Sequence, residues 1–225
     1  MFRALLFGLL AGIPICAAVE VHLEVDAQLP MTRRMLFVVD RSGSMHGDHF
    51  HRALNAVSQL LETPTDDLEV GVIAFNDATI RWPGRPEPER AKPVPPGWAS
   101  LPSDEAVRAA NRWLEELGAG GDTLIMPALR DALAEPRKEL SVVLVTDGLF
   151  GRERTSEIHA LIASLQEDRE RRGLERAVIG VYGLGAPQKI LYEIAEMGRG
   201  GYLREEAPPE DEDAPAMIQP TKSLR

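Results

Sequence analysis

Asp40, Ser42 and Ser44 stand at alternate positions in Asp40-Arg41-Ser42-Gly43-Ser44, directly after the apolar run Leu36-Phe37-Val38-Val39. One carboxylate and two hydroxyls are hard oxygen donors, and Gly43 allows a sharp turn between the serines. Two further segments offer the same chemistry: Thr123 at the end of Gly118-Ala119-Gly120-Gly121-Asp122-Thr123, and Asp147 after the apolar run 140–146. The candidate metal ligands are therefore Asp40, Ser42, Ser44, Thr123 and Asp147. An all-oxygen set without thiol or imidazole points to Mg²⁺, Mn²⁺ or Ca²⁺ rather than zinc. Neutral hydroxyls leave such an ion under-neutralised and with a coordination position open. An ion in that state takes an anionic oxygen from outside, most simply an Asp or Glu side chain of another protein.

The elements that must position these groups follow from hydrophobic patterning. The run at 35–39 reads as a strand buried on both faces, and its carboxyl end is where open α/β sheets bind ligands. A helix is expected over 46–61, a strand over 68–75, and a hairpin return through Asn76-Asp77 to 78–82. The proline-dense stretch 83–102 reads as an extended surface loop, with partner docking through Trp98 as the sharper alternative. Helices over 103–117, 126–134, 155–172 and 188–197 alternate with strands over 140–146, 177–182 and 201–203. This order predicts a three-layer α/β/α, Rossmann-like sandwich with a mostly parallel central sheet and one antiparallel edge strand.

The three oxygen-bearing segments, Asp40-Arg41-Ser42-Gly43-Ser44, Gly120-Gly121-Asp122-Thr123 and Thr146-Asp147-Gly148, resemble the von Willebrand factor type A domain with its metal-ion-dependent adhesion site. The resemblance runs from about Met35 to Tyr202. It implies that Ser42, Ser44 and Thr123 ligate the metal directly, that Asp40 and Asp147 act through water, and that a partner carboxylate completes the shell. Asp122 is a departure, since in the family Thr more often follows the glycines directly. Ile125 and Ala128-Leu129 keep the register on Thr123.

Composition sets the remaining bounds. The chain has 225 residues, 44% hydrophobic and 27% charged, with a net charge of −10 and no basic stripe, which argues against a nucleic-acid partner. Residues 1–18 have the layout of a signal peptide: Arg3, an apolar core over 4–15, then Ala17 and Ala18. Export to the periplasm, cell surface or medium is expected, with membrane contact only through that segment if it is retained. Residues 19–34 read as an extension with a possible strand, 35–204 as the domain, and 205–225 as an acidic disordered tail. That tail could supply an internal carboxylate to the site. His46, His49 and His51 read as exposed residues of a first helical turn, a second metal site being the alternative. The function expected is metal-dependent protein binding by an exported, non-enzymatic module. The alternative is a Mg²⁺-dependent phosphoryl-transfer hydrolase using Asp40, although no lysine lies near the three loops to clamp a phosphate.

Overall fold

All five side chains of residues 35–39 are buried, and successive ones turn to opposite faces, as a strand in the middle of a covered sheet requires. Met35, Phe37 and Val39 join one apolar cluster, and Leu36 and Val38 join the other. The computed structural model describes residues 34–61, 68–82, 99–101 and 104–204. The expected signal peptide at 1–18, the extension up to 33, most of the proline-rich connection and the tail at 205–225 lie outside the described residues.

The central strand is β1 (Arg34–Asp40). A 3-10 turn at Gly43–Met45 follows, then α1 (Asp48–Leu61). The helix starts two residues later than the apolar spacing suggests, because Gly47 takes a positive φ of 76° between turn and helix. β2 (Leu68–Phe75) lies parallel to β1, and β3 (Thr79–Trp82) returns antiparallel beside it. β4 (Ala99–Leu101) also pairs antiparallel with β2, at Leu68, Glu69 and Val70. This short strand lies inside the stretch expected to be loop. Three proline-free residues suffice for an edge, where a ladder is needed on one side only.

The remaining elements are α2 (Asp104–Leu117), α3 (Ile125–Leu133), β5 (Ser141–Thr146), α4 (Thr155–Arg171), β6 (Val178–Gly183), α5 (Lys189–Met197) and β7 (Arg199–Arg204). The strand order is β3-β2-β1-β5-β6-β7, with β4 beside β2, and every pairing except those of β3 and β4 is parallel. The expected α/β sandwich is therefore present. Phe50, Leu54, Val57, Trp113 and Leu114 of α1 and α2 cover one face of the sheet. Ile125, Leu129, Ile158, Ile162, Leu191 and Ile194 of α3, α4 and α5 cover the other.

The connections after β1 lead to β2 on one side, while β5, β6 and β7 extend to the other. The sheet thus reverses its winding between β1 and β5, and a crevice at the carboxyl ends of those strands is where ligands bind in such sheets. β1 begins at the opposite, amino edge. β7, parallel to β6, ends at the same carboxyl edge as β1 and β5.

At the amino edge α4 carries two fully buried polar side chains. Gln166 brackets Ala177, donating from Nε2 to its carbonyl at 2.8 Å and accepting from its amide at 2.9 Å. Arg169 donates to the carbonyls of Leu133 (3.3 Å), Glu135 (2.7 Å), Arg137 (2.8 Å) and Glu175 (3.0 Å). It ties the end of α3 to the turn after α4. Truncating Arg169 to Ala strands several buried carbonyls and opens a cavity, so urea denaturation should show a loss of about 3 kcal/mol or more.

Candidate metal centre

Parallel register brings the first two carboxylate segments together. Val39 of β1 pairs with Val145 of β5, so Asp40 comes level with Thr146 and the acidic groups that follow each strand share one end of the crevice. Asp40 is fully buried. Its Oδ1 accepts the Ser42 amide at 2.9 Å and its Oδ2 accepts the Thr146 hydroxyl at 2.6 Å. Thr146 Oγ1 in turn accepts the Gly148 amide at 3.0 Å, which fixes the direction of its proton towards Asp40. The groups acting on the Asp40 carboxylate are these donors and a second carboxylate, Asp147. Burial, reinforced by repulsion from Asp147, outweighs the hydrogen bonds and pushes the Asp40 carboxyl up to about 6.

Ser42 is fully buried and its Oγ lies 3.1 Å from Ser44 Oγ, while Ser44 itself reaches solvent. Asp147 is buried; its Oδ1 accepts the Leu149 amide at 3.0 Å, and its Oδ2 has no hydrogen-bond partner. Thr123 is buried on the glycine loop. Asp122, the residue that departs from the family pattern, is exposed.

Backbone bonds zip the glycine loop to the turn after β1. Gly43 donates to the Gly121 carbonyl at 2.9 Å and Gly120 donates to the Arg41 carbonyl at 2.7 Å. The β2–β3 turn backs the same loop: Asn76 Nδ2 donates to the Gly120 carbonyl at 2.7 Å, and Leu124 donates to the Asn76 carbonyl at 2.9 Å. Gly121 has a φ of 85°, and a Cβ there would come within 2.8 Å of Asn76 Nδ2, so glycine is required on both conformational and steric grounds. Arg41 points away from the carboxylates, towards the Leu117 and Gly118 carbonyls at the end of α2 and to Asn76 Oδ1.

The third loop joins through a residue that the sequence alone does not single out. Glu153, after β5, reaches the start of α3. Its two oxygens accept the amides of Ile125 (2.5 Å) and Met126 (3.0 Å). The residue preceding α3, Leu124, offers no side-chain cap, so Glu153 supplies the missing acceptors from 28 residues away. It thereby holds the helix that starts two residues after Thr123. Its carboxyl is raised by burial, against the stabilising pull of the two amides.

Asp40, Ser42 and Ser44 are joined by hydrogen bonds, Asp147 lies near enough to repel Asp40, and Thr123 sits on the loop bonded to the turn after β1. The three histidines do not form a second centre: His46 and His51 are exposed, and among the described residues no group of three His, Cys, Asp or Glu comes together.

This is an α/β sandwich protein with oxygen-bearing side chains gathered at the switch point of its sheet. Residues 35–149, just over half of the chain, match the von Willebrand factor type A domain, and the chain belongs to that family. Domains of the family generally serve as protein-interaction modules. No curated protein sequence matches the chain. Among solved structures, a von Willebrand factor type A protein from Catenulispora acidiphila is 19% identical with a TM-score of 0.58, over 77% of this chain and 38% of that one. An aerotolerance-related membrane protein from Bacteroides fragilis NCTC 9343, with multiple mutations to serines, is 19% identical with a TM-score of 0.52, over 77% of this chain and 91% of that one. This chain therefore spans well under half of the first structure's length, and at these identities the likeness speaks for the fold. Among the described residues no helix is long and apolar enough to cross a membrane.

Two measurements check the electrostatics of the site. The proton on Asp40 is bound more tightly folded, near 6, than at its ordinary 3.8, so its stabilising contribution is complete below about 4 and lost as pH rises through 6. In chelator, wild type should lose about 2–3 kcal/mol of urea stability through Asp40 between pH 4 and pH 7.5, and Asp40→Asn should lack that component of the pH dependence. Glu153→Ala should cost about 1–2 kcal/mol in the same assay, as loss of a helix cap does.

Proposed function

We propose that the crevice holds a divalent cation, Mg²⁺ foremost with Mn²⁺ or Ca²⁺ as substitutes, and that the protein binds a partner protein through it. The observation that carries this reading is the pair of buried carboxylates without a cationic neighbour. Asp40 has hydrogen-bond donors but no counter-charge, and Asp147 Oδ2 is buried without any partner. An orphaned buried carboxylate oxygen is costly unless something positive meets it. Ser42, Ser44 and Thr123 would hold the ion directly, with Asp40 and Asp147 behind them.

When bound, the cation supplies a positive centre that two carboxylates and neutral hydroxyls do not saturate, and this suits an Asp or Glu side chain from another protein. The residues of this chain do the rest. Ser44 lies at the solvent-facing side, where a partner approaches, and Asp40 lies beneath. Both Asp40 oxygens are engaged and the group is shut off from solvent, so it is poorly placed to attack a phosphoryl group. Binding rather than phosphoryl transfer is thus the better reading of this carboxylate. Residues 1–18 support export, which would present the crevice to partners outside the cytoplasm.

Calorimetry with Mg²⁺ on the metal-free chain tests the reading. Wild type should give saturable heat, Asp40→Ala and Asp147→Ala should give none, and Ser44→Ala should weaken binding. Absence of heat from wild type with Mg²⁺, Mn²⁺ and Ca²⁺ alike would remove the proposal.

A further inference from the structure

Large apolar side chains are well covered in this protein, which makes the exceptions informative. Among the described residues Leu149 is 51% exposed and Tyr192 57% exposed. Scattered exposed hydrophobics are ordinary, but these two share one edge of the molecule. Leu149 is two residues beyond Asp147. Tyr192 lies in the first turn of α5, which starts just after β6 reaches the carboxyl edge. The loop and the helix are in contact there: Gly148 lies so close to Gln188 and Leu191 that a Cβ would sit 2.9–3.0 Å from their side chains. Tyr192 is braced by Tyr202 of β7, the ring centroids 4.2 Å apart. Leu149 follows the candidate ligand Asp147 by two residues, and Tyr192 follows Leu191, the α5 residue that Gly148 approaches.

The same loop continues into a charged arm. Glu153 turns inward to cap α3, while Arg152 and Arg154 on either side of it are exposed. Neither arginine takes part in an ion pair among the described residues, so both side chains are available to an outside carboxylate. Arg152 and Arg154 place two exposed positive side chains on this edge of a chain of net charge −10, beside a centre expected to attract carboxylate.

We propose that residues 149–154 with Tyr192 form the surface that selects the partner, and that it fits an acidic protein segment carrying an apolar side chain. The apolar side chain packs on Leu149 and Tyr192, on the α5 side of the centre. Further carboxylates meet Arg152 and Arg154, on the α3 side. Charge complementarity fixes the class of occupant, because an acidic–apolar segment uses both arms and the central carboxylate site at once. The inference rests on the metal-dependent binding proposed above and adds what recognises the partner around the cation.

Synthetic peptides in a Gly/Ser background test it by fluorescence anisotropy on the full-length chain. The parent peptide carries Asp-Leu with two further Glu residues; the others lack the Leu, lack the two Glu, or lack every carboxylate. In Mg²⁺ the parent should bind tightest, and loss of the Leu or of the Glu pair should each weaken binding by about tenfold, equivalent to burying one apolar group or forming a close charge pair. Leu149→Ser should erase the first difference alone, and the double change Arg152→Glu, Arg154→Glu should erase or reverse the second alone. If the peptides bind alike, or none binds while calorimetry shows Mg²⁺ on the same sample, the surface is overturned and the metal reading stands. If the discrimination persists in chelator, the surface stands and the metal is removed from it.

Discussion

The parallel register between β1 and β5 is the constraint on which the crevice depends. Leu36 and Val38 face the same side as Val142 and Leu144, so Asp40 and Thr146, which continue those alternations, emerge on that side together. A slip of one residue in either strand would send one of the two groups to the opposite face. The 2.6 Å bond between them is thus a consequence of how the apolar residues of two strands share the core. The packing that stabilises the sheet also isolates a carboxylate at its end, and isolation leaves that carboxylate without a counter-charge.

The loops around Asp40 are tied to one another more firmly than to the rest of the surface. Gly43 and Gly120 exchange backbone bonds with the opposing loop, Asn76 braces it from behind, and Glu153 secures the helix that follows. Three connections distant in sequence consequently behave as one rim. Preorganisation of this sort would lower the ordering cost of the proposed binding, because the loops that carry the candidate donors are already joined. It also couples the rim to α3: a shift of the glycine loop has to carry the start of that helix or break the Glu153 bonds.

The fold was legible in the sequence because its buried strands are continuous apolar runs and its helices carry apolar residues at helical spacing. Asp40, Ser42 and Ser44 were legible for a related reason, since their spacing is local and follows such a run. Thr123 and Asp147 could be read from the order of segments. Glu153, Asn76 and Arg41 could not, because each acts on backbone groups tens of residues away and nothing in its immediate neighbourhood marks it. Asn76 looks like an ordinary hairpin residue, and Glu153 is one charge in Arg152-Glu153-Arg154. Gln166 and Arg169 were hidden similarly: a helix rich in charge reads as solvated, and only tertiary contacts reveal which polar groups are inside. Ala99–Leu101 is too short for periodicity to detect.

The direction of the chain has a practical meaning for how this protein can be handled and displayed. The polypeptide enters β1 at one pole and leaves β7 at the other, the pole where the crevice opens. Tethering at Arg34 therefore holds the molecule by the amino edge of its sheet, opposite the candidate ligands. A label or fusion attached at Arg204 begins instead at the carboxyl edge, on the outermost strand. The two ends are not equivalent handles.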